Sequence, residues 1–315
     1  MKKTAQISFW KHHPILDQQA STLAEETINF QVKFNCDFIK ITPAGTWQAV
    51  CQGAIDESWE HDNLGRRKII TTNITHTNDW LQLPDLAKSN PPLLQEMINA
   101  CRLVNQQNDA NKPIYCTIFC PISQAIQMAG LDTFLQHIAE DPAKVLAGLA
   151  IITQNTLYII EEYKKAGASG MFFVTQHMRH GALSPEIYRN FGEQFNATCL
   201  QYCKDFEQTI FHIHGEDIYL TTNHLPSNCV LHYESSVHNP KIEDLQTQYP
   251  HQIVVGIPTT EMAKHTTEAS IKMALAPYVE ANKSTNMRFA GCVIPLDFDE
   301  AQLLLWIKVA KSFHK

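Results

Sequence analysis

Arginine is scarce in this chain of 315 residues: only Arg66, Arg67, Arg102, Arg179, Arg189 and Arg288 occur. With a formal charge of -7 there is no basic footprint for nucleic acid. No apolar run approaches the roughly 18 residues of a spanning helix, and the amino end, Met1 to Lys11, lacks the apolar stretch of a secretory signal. The expectation is a soluble, cytoplasmic protein with no membrane partner. Nine scattered cysteines, an odd number, do not form a disulfide framework and fit a reducing compartment. Neither GxGxxG nor GxxxxGK[ST] follows a candidate strand, so the usual phosphate-loop chemistry is excluded. No repeat, Ser/Gly linker or charge block marks a boundary, and residues 1–315 read as one domain.

Apolar residues make up 44% of the chain, which supports a core and excludes a disordered polymer. Short β-branched or aromatic runs alternate with amphipathic stretches. The runs at 6–10, 37–42, 114–119, 170–175, 209–214, 229–234, 253–257 and 288–293 predict eight strands. Helix starts are legible at Asp141-Pro142, Ser184-Pro185-Glu186 and Asp299, predicting helices over 143–165, 187–206 and 300–313. Eight strands alternating with helices point to an α/β fold, a (β/α)8 TIM barrel, with a doubly wound sheet as the rival. Residues 51–84, after the second strand, predict an extended loop or small subdomain over the barrel mouth.

Fifteen histidines are present, and their placement is informative. In Phe211-His212-Ile213-His214-Gly215-Glu216, the two histidines are two apart and share one face of a strand, at its carboxyl end. Cys292, in Ala290-Gly291-Cys292-Val293-Ile294-Pro295, stands at the end of the last strand. Two imidazoles, one thiolate and an open fourth position match the donor set of a catalytic zinc site. The same pair is also the signature of two hydrogen-bonded core histidines. Other candidates sit near strand ends: His12 and His13 after the first, Gln176 and His177 after the fourth, Tyr233 and Glu234 on the sixth. Glu234 reads as a metal ligand, a partner of a ligating histidine, a general base or a structural ion pair. Cys199 with Cys203, and Cys116 with Cys120, read as core residues. Arg66-Arg67-Lys68 reads as a solvated loop or a contact for an anionic arm.

These segments resemble the uroporphyrinogen decarboxylase superfamily. Gly291-Cys292-Val293-Ile294-Pro295 with Asp299-Glu300 is similar to its closing motif, and Gly181-Ala182-Leu183-Ser184-Pro185 with Tyr188 to its "G-LSP--Y" turn. Asp37-Phe38-Ile39-Lys40-Ile41 and Asn78-Asp79-Trp80-Leu81 are similar to landmarks of the amino half. The resemblance implies a (β/α)8 barrel. It also places His212, His214 and Cys292 on the ligands of the zinc-dependent, corrinoid-linked methyltransferases of the methylcobalamin:coenzyme M branch, with His214 where that branch carries cysteine. The implied reaction passes a methyl group from a methylated corrinoid, carried by a separate partner, to a thiol on zinc. His177 and Glu234 are then the catalytic candidates, and Trp10, His12, His13, Lys40, Gln176 and Tyr233 the substrate-binding ones. A homodimer is also implied. The alternative within the superfamily, metal-free porphyrinogen decarboxylation, calls for arginines near the amino end, where this chain has Phe9-Trp10-Lys11-His12-His13-Pro14. A third reading is a non-catalytic barrel that carries a tetrapyrrole or corrinoid.

Overall fold

A computed structural model of the chain describes residues 6–221, 225–246, 249, 252–282, 287–289 and 291–313, with backbone alone at 287–289. Eight parallel strands follow in sequence order: β1 (Gln6–Ser8), β2 (Ile39–Ile41), β3 (Ile114–Phe119), β4 (Gly170–Thr175), β5 (Thr209–Ile213), β6 (Cys229–Glu234), β7 (Gln252–Gly256) and β8 (Met287–Phe289). β2 to β7 form one parallel sheet in that order, and β1 pairs with β8. Every residue of β3 and β4 is buried, the pattern of strands covered on both faces. Among the described residues the ladders do not run round a full circle. At the first seam, Asp37 N donates to Ile7 O at 2.8 Å and Ile7 N donates to Asp37 Oδ2 at 2.8 Å. At the second, Gly291 N donates to Ile257 O at 2.8 Å, while Asn282 satisfies both backbone groups of Val255 at 2.9 Å. A side chain there replaces the neighbouring strand.

Three helix starts agree with the sequence. Asp141 Oδ1 accepts from Lys144 N, Ser184 Oγ from Ile187 N, and Asp299 Oδ1 from Gln302 N. The helix expected over 187–206 is subdivided instead: Pro185–Tyr188, a wide turn at Arg189–Glu193, Gln194–Tyr202 and a tight turn at Cys203–Asp205. One inserted residue brings Asn196 back onto the face of Tyr188, eight positions earlier. Tyr188 Oη then lies 2.9 Å from Thr175 Oγ1 and accepts from Asn196 Nδ2 at 2.5 Å. The helix Pro142–Lys165 is long and apolar enough, by length and composition, to cross a membrane, although no unbroken apolar run in the sequence predicts it. Half of its most apolar stretch is buried, and its Asn155 Oδ1 accepts from Leu86 N at 3.0 Å. It is a helix of the barrel's outer ring.

The segment 51–84 contains an antiparallel pair, Ile55–Asp56 with Ile69–Thr71, and a short turn of helix, Thr77–Gln82. Arg67 holds it down from inside, paired with Asp17 and, at 3.8 Å, with Asp56. At the tip, Gly65 has φ 75°, and a Cβ there would meet His12 Cβ at 2.5 Å. This close approach brings the hairpin onto the carboxyl ends of the strands.

Gly170 opens β4, where a Cβ would lie 1.9 Å from the backbone oxygen of Gln208. A backbone atom of the adjoining strand cannot swing aside. Gly170→Ala is therefore expected to cost about 3 kcal/mol or more, read as a lower urea midpoint with unchanged slope.

Candidate metal centre

β5 turns His212 into the barrel, and His214 follows directly, its backbone N donating to Thr175 O at 2.9 Å. Gly215, with φ 105°, ends the run. Cys292 arrives from the segment after β8, with Sγ 3.5 Å from His214 Nδ1. One donor atom from each of His212, His214 and Cys292 lies within 4.8 Å of the others, and among the described residues this is the group so arranged. Tetrahedral zinc, with bonds of roughly 2.0–2.3 Å, holds its ligands about 3.3–3.8 Å apart. The donor set and the 3.5 Å spacing of Cys292 and His214 fit that ion, and the group as a whole, within 4.8 Å, would draw in by up to about 1 Å to bind it.

His232 was not among the sequence candidates. It lies opposite His212 in the β5–β6 register, fully buried, with the two Nδ1 atoms 3.0 Å apart. Such a contact needs one proton between the two nitrogens. When His212 supplies it, His212 Nε2 carries the free lone pair and is the atom available to a metal. A lone histidine in an apolar strand, Leu231-His232-Tyr233, gave no motif; its one signal was the cross-strand partner.

The donors rest in their neutral forms. Burial drives His212 well below the usual imidazole range, with His232 adding to it. Burial also lowers His214, with Arg66 adding and Glu234 opposing. The Cys292 thiol is pushed up to about 11 by burial, with Glu234 adding and Lys40 opposing. Glu234, itself raised by burial, stands outside the donor group. It packs against Gly291, where a Cβ would meet Glu234 Cγ at 2.2 Å, so glycine is what allows Cys292 its approach.

The donors open onto a cavity of about 150 Å³ that Trp10, His12, Lys40, Phe172 and Gln176 also line. Lys40 is buried, its Nζ donating to Thr42 Oγ1 at 3.1 Å and lying 5.3 Å and 4.4 Å from the ring centroids of Trp10 and Phe172. Burial pushes its ammonium down to about 7. His12 is pushed down to about 3 by burial and then Lys40, and its buried Nδ1 has no hydrogen-bond partner. Gln176 Oε1 accepts from Gln127 Nε2 at 3.0 Å.

Besides Glu234, three sequence candidates face elsewhere. His13 sits in a separate crevice beside Phe30, with Nδ1 3.6 Å from Glu26 Oε2. Strand alternation sends Tyr233 to the face opposite His232, where its hydroxyl donates to Pro240 O at 2.9 Å. His177 is held behind the cavity wall, Nδ1 3.2 Å from Ser123 Oγ, and burial pushes it down to about 3. The basic cluster is not simply a solvated loop: Arg67 is buried in its ion pairs, and Arg66, held 2.7 Å from Asp62 Oδ2, reaches the cavity mouth.

A family model described as "Uroporphyrinogen decarboxylase (URO-D)" matches residues 65–313. The chain belongs to the uroporphyrinogen decarboxylase family. Among solved structures, a methyltransferase from Methanosarcina mazei superposes with a TM-score of 0.80 at 12% identity, covering 100% of this chain and 95% of that one. A B12-independent methionine synthase from Shewanella sp. W3-18-1, in complex with selenomethionine, gives a TM-score of 0.58 at 10% identity, covering 99% and 96%. No curated protein matches the sequence. The family member described here therefore has the TIM-barrel fold of its relatives, and that fold is shared with methyltransferases, a methionine synthase among them.

Proposed function

We propose that this protein is a zinc-dependent methyltransferase that passes a methyl group from a methylated corrinoid to a thiol. The observation that carries this reading is the convergence of His212, His214 and Cys292 on one cavity at the carboxyl ends of the strands. These three residues would hold zinc, whose contribution when bound is to keep an acceptor thiol ionised at neutral pH. The chain's own residues do the rest. His232 sets the tautomer of His212, and Glu234 and His177 flank His214 outside the cavity. Trp10 and Phe172 wall the space in which the acceptor is aligned.

The cavity, about 150 Å³, is small beside the roughly 300–1,000 Å³ of ordinary ligand clefts. A corrinoid then stays outside, on a separate carrier, and offers its methyl group at the mouth. The same size argument weighs against a porphyrinogen with its many carboxylates. So does the wall, where among the described residues the guanidinium groups are Arg67, held in its ion pairs, and Arg66, held by Asp62.

The test is turnover. Zinc-loaded protein with a panel of small thiols is expected to consume methylcobalamin, read by absorbance, and to yield a methyl thioether, read by mass spectrometry. No thiol-dependent loss of methylcobalamin across the panel, free or on a carrier protein, would contradict the proposal.

A further inference from the structure

We propose that the hairpin over residues 55–71 is a lid whose closure sets Cys292 in place, with Asn63 as the positioning residue where the two meet. The inference rests on the reading of His212, His214 and Cys292 as a metal centre. His212 and His214 are fixed by β5 and its ladder to β4. Cys292 has no such support, because residues 291–299 lie in neither strand nor helix. Among the described residues, three backbone bonds tie that segment to the rest of the chain. Gly291 N donates to Ile257 O, Ile294 N to Trp10 O and Leu296 N to Asn63 O, each at 2.8 Å. Asn63 Nδ2 also donates to Asp297 Oδ1 at 2.7 Å. The hairpin tip thus clasps the segment that delivers the third donor.

The tip is stiff, and the hairpin below it is lightly attached. Asp62 Oδ1 accepts from Leu64 N and Arg66 N at 2.9 Å and 3.0 Å, which holds Asn63 in a fixed turn. Arg67 pairs with Asp17, Gln18 Nε2 donates to Ser58 O at 3.1 Å, and Leu64 and Ile69 touch the core. Ile55, Trp59 and Ile70 instead face solvent, 53%, 72% and 57% exposed. An element that buries so little apolar surface opens far more readily than the whole chain unfolds. Arg66 and Arg67 line the cavity together with Cys292, so lifting the hairpin uncovers the donors. Closure and metal binding then favour one another: zinc on Cys292 fixes the segment that Asn63 holds, and the clasp raises zinc affinity by the same factor.

The experiment lifts the lid without changing a donor. Gly65→Ala sets a Cβ 2.5 Å from His12 Cβ, at a φ of 75°, and His12→Gly in the same chain removes that obstacle. Asp297→Ala removes the side-chain half of the clasp from the other side. The full chain is read in three ways: zinc affinity by competition with a chromophoric chelator, trypsin cleavage after Arg66, Arg67 or Lys68, and alkylation of metal-free protein by N-ethylmaleimide. Cys292 is the half-buried member of nine free cysteines, the rest being buried, so its alkylation reports opening. Gly65→Ala is expected to bind zinc about 10-fold or more weakly and to be alkylated at Cys292 faster by a similar factor. The double variant should regain most of both. Asp297→Ala should change each by about 2- to 10-fold, the size of one hydrogen bond. Zinc should slow trypsin at the hairpin in the wild type and leave it unchanged in Cys292→Ala. Melting of each metal-free variant near the wild type shows that it folds. Unchanged zinc affinity in folded Gly65→Ala and Asp297→Ala, or zinc without effect on hairpin cleavage, would overturn the lid. The metal-free readouts stand apart from the metal centre. Faster cleavage of the Gly65→Ala hairpin with unaltered Cys292 alkylation would overturn the clasp even in a chain that takes up no zinc. Both rates rising together in such a chain would support the clasp and remove the metal centre.

Discussion

Cys292→Ala and His214→Ala are each expected to lower zinc affinity by about 100-fold or more and to abolish thiol-dependent methyl transfer. Loss of an outer-sphere partner alone typically costs 10- to 100-fold, and these changes remove one of three direct donors. Neither variant should unfold the chain. The β4–β5 ladder reaches position 214 through the backbone N, which bonds Thr175 O at 2.9 Å whatever the side chain. Cys292 lies half-buried at the cavity rather than within the strand core. Metal-free variants are therefore expected to melt close to the metal-free wild type, while the stabilisation conferred by added zinc disappears. Cys292→Ser separates thiolate from geometry: a hydroxyl of similar size keeps the shape and loses the soft, ionisable donor. Zinc affinity and turnover unaltered in all three variants would show that the cluster is a set of ordinary core side chains.

A steep loss of stability in mild acid is the second large effect. Burial pushes His12 and His177 down to about 3 and His13 to about 4, against about 6.5 in an unfolded chain. The unfolded state thus binds protons that the native state refuses. Their contribution is fully present above pH 6.5 and drains away as the pH falls toward the native values. Each such histidine changes stability by at most about 1.4 kcal/mol per pH unit, so the three together approach 4 kcal/mol per unit between pH 6 and 4. Asp17 works in the opposite sense. Burial pushes its carboxyl up to about 6 despite Arg67, so acid favours the native form there and offsets about one histidine. Against a total stability of roughly 5–15 kcal/mol, metal-free protein should lose much of its urea resistance between pH 7 and 5. A constant midpoint over that range would contradict the buried, neutral state of these groups. Replacing His12 or His177 by glutamine should flatten the slope.

Much of the architecture is readable from local pattern. All eight strands occur where β-branched and aromatic runs predict them, because a strand buried on both faces needs a continuous apolar sequence. β3, β4 and β6 have the predicted ends, and the other five differ by one to several residues, since the chain continues extended beyond the last ladder bond. The period-2 spacing of His212 and His214 is legible for the same reason, whereas Cys292 is a candidate by its place at a strand end and joins the pair only through the family resemblance. What stayed hidden depends on partners distant in sequence. His232 is informative only once β6 is laid beside β5. The ion pairs that bury Arg67 come from Asp17 and Asp56, fifty and eleven positions away. His13 and Tyr233 were grouped with their neighbours by sequence proximity, although the folded chain turns them to other surfaces. The antiparallel hairpin at the mouth lacked an alternating pattern strong enough to set it apart from a loop.

The central claim is a metal centre on His212, His214 and Cys292, and elemental analysis of the purified chain tests it most directly. Protein prepared without chelator or a nickel column should carry about one zinc per chain, and Cys292→Ala prepared in parallel should carry almost none. A wild-type chain that holds no metal, even after zinc is offered and the excess removed, would contradict the account.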